Sequence, residues 1–316
     1  MKIVIPGGTG QVGRVLVGAL RAQGHEIVVL SRSAPPGDRI VRWDGRHQGD
    51  WAHEIDGADA VINLAGRSVN CRYNKTNLQQ MMDSRMDSTR AVGIAIQSSA
   101  QPPRVWLQMS TATIYSHRFD ADNDEISGRI GGEEPDAPSY WRFSIDIAQA
   151  WERTLCEALT PVTRKVALRT AMLMSPNPGG TFDIFLKLVR WGLGGTVAGG
   201  RHYISWIHDR DFVRAVEFLL EREDLTGPVN LAAPGPFPQR DFMAALRAAY
   251  GRSVGLPASR WMMEVGAFFH RTDTELILKS RRVVPTRLLR AGFSFEFPQW
   301  PAAARDLVAR SRARTG

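Results

Sequence analysis

Short apolar runs bounded by turn residues recur at 2–5, 26–30, 40–43, 60–64, 104–109 and 165–169, and they predict buried strands. Between the first two, Val12, Val15, Leu16, Ala19 and Leu20 repeat at three and four residues and Gly24 follows as a stop, which predicts a helix. Strand alternating with helix implies an α/β fold, a doubly wound parallel sheet covered on both faces. After Arg169 the texture changes. PNPGG, GLGG and AGG interrupt the chain, and helical segments near 182–191, 209–222, 238–250 and 301–312 dominate. The expected organisation is a first domain over 1–170, with return segments near 205–232, and a smaller, mainly helical lobe over 171–316. Residues 229–231 are expected to tie the lobe back to the sheet.

Composition adds limits. A 316-residue chain that is 43% hydrophobic can fill a sizeable core. The net charge of +8 comes largely from scattered arginine. Arg305, Arg310, Arg312 and Arg314 read as a solvated helix face with a frayed tail. No stripe of interleaved aromatic and basic residues is present, so no nucleic-acid partner is expected. Basic charge near a phosphate-rich small molecule is the more economical reading. Cys71 and Cys156 lie far apart and match no metal-ligand spacing, so neither zinc nor a disulfide framework is expected. MKIVIPGG enters a strand at once, and no run approaches the ~18 apolar residues of a membrane span. The expectation is a cytoplasmic protein with no membrane partner. Oligomeric state is not legible.

The segment IVIPGGTGQVGRVLVGAL sets Gly7, Gly8, Gly10 and Gly13 between a strand and a helix. Glycines there permit a tight turn and close backbone approach to a pyrophosphate at the positive end of the helix. With a second strand about twenty residues on, the context fits a dinucleotide site. An NAD site usually ends that strand with an acid. Here stand Ser31, Arg32 and Ser33. An acid would repel a 2′-phosphate, whereas a guanidinium can grip it, so NADP(H) is expected over NAD(H). The alternative is that Arg32 is a solvated loop residue.

With GGTGQVG, WD at 43–44, NLAG at 63–66, SRMDST at 84–89, STATIY at 110–115, SWIHDRD at 205–211 and VVPTRLLRAGFSFEFP at 283–298, the chain resembles the extended, atypical branch of the short-chain dehydrogenase/reductase superfamily. Within it the likeness is to the NAD(P)-dependent epimerase/dehydratase-like "epimerase family" subgroup with its characteristic C-terminal segment. The resemblance covers essentially the whole chain and implies a Rossmann fold. It implies that Gly7, Gly10, Gln11, Val12 and Gly13 hold the pyrophosphate, with Ser31 and Arg32 at the 2′-phosphate. It places Asp44 toward the adenine edge, Leu64, Ala65 and Gly66 along the nucleotide, Arg85 reaching it from the following helix, and Met172 on the nicotinamide side. NLAG could also be an ordinary strand end, and Arg85 could pair with a nearby acid.

The superfamily's usual catalyst is a Ser or Thr past the fifth strand together with a Tyr-x-x-x-Lys helix, in which the lysine lowers the tyrosine's pKa. Thr111 falls where the Ser or Thr belongs. Taking Glu152 as the glutamate that follows the lysine by four places Ala148 at the lysine and Ser144 at the tyrosine. The pair is missing, as it generally is in this subgroup. Tyr140, one turn before Ser144, is the nearest phenol and the catalytic candidate, or else an aromatic that packs the helix start. His208 reads as structural or as a substrate contact, Trp191 and Trp206 as packing or pocket wall, and Arg169 as facing the cofactor or anchoring the lobe. Gly194, Gly195, Gly199 and Gly200 could form a lid. The expected function is an NADP(H)-dependent oxidoreductase or epimerase on a small, nucleotide-linked or free, carbonyl or hydroxyl substrate. The alternative is a catalytically silent NADP(H)-binding sensor.

Overall fold

The computed structural model describes residues 1–33, 39–69, 71, 73–134, 138, 141–257 and 278–314. Seven strands form a parallel sheet: β1 Lys2–Pro6, β2 Glu26–Ser31, β3 Ile40–Arg42, β4 Ala60–Asn63, β5 Val105–Thr111, β6 Arg164–Thr170 and, later in the chain, β10 Gly227–Leu231. Their order is β10-β6-β5-β4-β1-β2-β3. The chain leaves β1 in one direction and returns on its other side as β4, so the order reverses there. A crevice opens beyond the carboxyl ends of strands at such a reversal.

The strands read as continuous apolar runs because both faces are covered. Ile3 and Ile5 face one layer with Leu16 and Leu20 of α1 (Gln11–Ala22) and Phe212, Val216 and Leu219 of α5 (Asp209–Glu221). Val4 and Val61 face the other with Val92 and Ile96 of α2 (Lys75–Ser98) and Leu155 of α3 (Arg142–Glu157). Helix α5 thus covers the sheet, within the expected return segment, although its sequence pattern reads like the lobe's.

The lobe packs α4 (Thr181–Arg190), α6 (Gln239–Tyr250) and α7 (Trp300–Ala313) around Trp206, Phe242 and Trp300. Phe242 and Trp300 stack at 3.8 Å between centroids. Two short pairs escape sequence patterning: β7 Met172–Met174 with β9 Trp206–His208, and β8 Tyr203–Ile204 with β11 Phe237–Pro238. Runs of two or three residues carry too little periodicity to read.

SWIHDRD knots the lobe to the sheet. Asp209 takes both arms of Arg310 at 2.8 Å, His208 meets Asp306 at 3.0 Å, and Asp211 accepts the Glu296 and Phe297 amides at 2.7 and 2.8 Å. Arg310 is therefore a tether and not part of a solvated face. Besides Asp306 one turn back at 3.1 Å, its bidentate partner Asp209 lies 101 residues away, beyond any local charge pattern. Trp206 is fully buried in the lobe core, Trp191 is exposed, and neither lines the cleft described below. The four glycines of the expected lid do not line it either.

Candidate functional site

A cleft of about 680 Å³ lies beyond the carboxyl ends of β1, β4, β5 and β6, a size suited to a cofactor-scale ligand. The glycine turn forms one wall. Gly7 has φ +79°, and a Cβ there would sit 2.8 Å from the Ala65 amide nitrogen. At Gly13 a Cβ would meet the Gly8 carbonyl oxygen at 2.4 Å. Only glycine lets the turn approach β4's end and the helix close on the strand. Gly10 caps α1 without a side-chain bond, and no acid stands in the first turn, so the helix's positive end is left for an anion. Gln11 donates to the Gly179 carbonyl, joining this wall to the lobe, whose Asn177, Pro178, Gly180 and Thr181 form the facing rim.

Gly7, Gly10, Gln11, Val12, Gly13, Leu64, Gly66, Arg85, Thr111 and Met172 all line this cleft. Ala65 does not, but its amide, held by the Asn63 side chain at 3.0 Å, backs Gly7. Ser31, Arg32 and Asp44 lie outside the lining, at the ends of β2 and β3. Ser31 is bonded to Thr9 at 3.1 Å. Arg32 is exposed, and among the described residues nothing pairs with its guanidinium. Asp44 is spent on its own turn: it accepts the Arg46 and His47 amides at 2.8 and 2.9 Å and contacts the His47 ring at 2.6 Å. Those bonds, the His47 amide foremost, hold its carboxyl down at about 2.

Arg85 is half-buried on α2 against Gly66, with its guanidinium 4.9 Å from the Trp151 ring and donating to the Met81 carbonyl at 3.0 Å. Among the described residues no carboxylate pairs with it. Desolvation lowers its pKa to about 10, with Tyr73 and Cys71 close enough to act against that fall. A guanidinium enclosed without an acid is half of an ion pair, and the cleft it lines is where an anion would complete it.

Arg169 is the opposite case. It is buried and bidentate to Glu152 at 2.8 Å on both arms, and it donates to Tyr115 at 2.9 Å. Tyr115 in turn donates to Asn230 of β10 at 2.9 Å, and Ser110 to Glu152 at 2.6 Å. Burial pulls the Arg169 pKa down, but Glu152 outweighs it and the net shift is upward. Arg169 anchors β5, β6 and β10 and does not face the cleft.

On the reacting side, Thr111 accepts the Thr113 amide at 3.1 Å, which leaves its hydroxyl proton to donate into the cleft. Ser144 and Phe143 of α3 line the same space, and Ala148, at the lysine's place, is fully buried. Tyr140 lies outside the described residues. Arg14, Arg67, Tyr73 and Thr113 also line the cleft and were not singled out in the sequence. Cys71 and Cys156 are free thiols. Among the described residues no helix is long and apolar enough to cross a membrane.

The chain is 30% identical over 314 residues to the human epimerase family protein SDR39U1, covering 98% of this chain and 100% of that one. It is 27% identical over 313 residues to the Bacillus subtilis epimerase family protein YfhF, covering 98% of each. The crystal structure of human SDR39U1 (isoform 2) with NADPH superposes with a TM-score of 0.85 at 28% identity, covering 98% of this chain and 99% of that one. UDP-N-acetylglucosamine 4-epimerase from Bacillus cereus shares the fold at a TM-score of 0.73 and 17% identity, covering 99% of each. Residues 258–307 match a domain of unknown function, DUF1731. Residues 3–232 match the NAD dependent epimerase/dehydratase family, and the chain belongs to that family.

Proposed function

We propose that the protein is an NADP(H)-dependent oxidoreductase or epimerase acting on a small carbonyl or hydroxyl compound. The observation that carries this is one cleft walled by the glycine turn, an acid-free Arg85 and the hydroxyl of Thr111. The residues fit the coenzyme: a Cβ at Gly7 or Gly13 would collide with the backbone that shapes the cradle, and α1's N-terminus calls for negative charge. Gly7, Gly10, Gln11, Val12 and Gly13 would hold the pyrophosphate, Ser31 and Arg32 the 2′-phosphate, Leu64, Ala65, Gly66 and Arg85 the nucleotide's length, and Met172 the nicotinamide side. When bound, the nicotinamide supplies or accepts a hydride. Thr111 orients the substrate oxygen by donating to it. The relative with NADPH in its crystal structure supports the choice of phosphorylated coenzyme. Asp44, tied to its own turn, supports an adenine contact less well.

The sensor reading has one observation in its favour: buried Ala148 and hydroxyl-bearing Ser144 stand where the lysine and tyrosine would be. NADPH absorbance against a panel of carbonyl compounds separates the two. Turnover by the wild type, reduced at least tenfold in Thr111→Ala with NADPH affinity unchanged, is the expected result. A wild type that binds NADPH and turns over nothing makes it the sensor.

A further inference from the structure

If the cleft moves a proton, some group in it must release one. Among the described residues its titratable lining is Arg14, Arg67, Tyr73 and Arg85. No carboxylate, imidazole or amine is among them. A guanidinium, Arg85 included, keeps its proton and charge at neutral pH, and isolated Ser and Thr hydroxyls are far weaker acids than a phenol. Only Tyr73 remains.

Its place in the fold suits the task. Tyr73 stands two residues before α2, whose N-cap Asn74 accepts the Asn77 amide at 2.8 Å and so fixes where the segment enters the helix. Its ring meets Phe143 edge-on at 6.4 Å. Phe143 is the residue before Ser144, so the Tyr73 ring lies against the turn of α3 where the superfamily's tyrosine would stand. Arg85 lies three turns into the helix that Tyr73 leads into, and both side chains line the same cleft, near enough for a charge on one to act on the other. A phenol and a cation are thus both in the cleft, supplied by the opposite wall.

Resting on the oxidoreductase reading above, we propose that Tyr73 is the proton donor of this cleft and that Arg85 steadies the phenolate it leaves behind. In the reducing direction the phenolic O–H bond breaks, its electron pair stays on the Tyr73 oxygen, and a new O–H bond forms on the substrate oxygen held by Thr111. The two electrons that reduce the carbonyl carbon arrive as the hydride of the reduced nicotinamide coenzyme. Solvent then reprotonates the phenolate. In the oxidising direction the phenolate takes the substrate's hydroxyl proton. Arg85 then meets the coenzyme through ribose hydroxyls, which leaves its charge available to Tyr73.

Three readouts on the full chain test this. Calorimetry with NADPH on wild type and Tyr73→Phe should give affinities within about threefold, since the phenol is not asked to hold the coenzyme. The phenolate absorbance of the NADP-loaded protein, taken as wild type minus Tyr73→Phe, should titrate at least about one pH unit lower than the same difference measured in an Arg85→Gln background. Equal midpoints overturn the pairing. On any carbonyl the wild type reduces, Tyr73→Phe should lower kcat roughly 100- to 10,000-fold, and unchanged turnover overturns the assignment. A wild type that fails to bind NADPH instead removes the oxidoreductase reading itself. If the wild type binds NADPH without reducing any compound of the panel, the sensor reading holds and Tyr73 is not a proton donor.

Discussion

Arg169 and Arg85 both project from the core elements that border the cleft, and they end differently. Arg169 is surrounded by partners, two carboxylate oxygens and a phenol, and its network closes on Asn230. Arg85 has one backbone carbonyl and an indole face. The first guanidinium is finished within the fold, and the second has no acid among the described residues. Since an unpaired enclosed charge costs stability, its presence marks the half of the molecule built for a ligand.

Breaking the finished site should have the largest effect. Glu152→Ala leaves Arg169 buried without its acid, and a loss of about 3–5 kcal/mol is expected in urea denaturation. A loss under about 1 kcal/mol would erase the contrast. A second incomplete group, His202, sharpens it through pH. Its Nε2 is buried with no partner among the described residues, and burial, with Arg281 and His117 adding to it, lowers its pKa to about 4. The folded value lies below the unfolded one, so the neutral ring's stability is fully present above pH ~6.5 and is lost as pH falls toward ~4. The loss should reach about 3 kcal/mol, and His202→Phe should flatten that part of the profile. The smallest expected effect is Arg85→Met on the ligand-free protein: a change within about 1 kcal/mol, in either direction, because no ion pair is broken. The same variant should bind NADPH at least tenfold more weakly.

What could be read in the sequence followed the range of the interactions. The glycine turn is local: the φ of Gly7 and the close approach at Gly13 are set within a dozen residues, so the motif shows itself. The sheet's strands were legible for the same reason, since burial on both faces writes continuous apolar runs. Arg310 was misread because its partner Asp209 is distant in sequence. Tyr73 was passed over because nothing in NCRYNKTN marks a phenol as facing Phe143, which depends on how α2 packs on α3. The alternative that Arg85 pairs with an acid could only be settled in three dimensions, where no acid among the described residues reaches it. Asp44 matched its motif, yet the adjacent Arg46 and His47 amides occupy it.

The most direct test is titration calorimetry of NADPH and NADH into the wild-type chain. The account predicts one equivalent of NADPH bound at about micromolar Kd or tighter, NADH at least tenfold weaker, and Arg32→Asp removing that preference. Absence of binding by either coenzyme would contradict it.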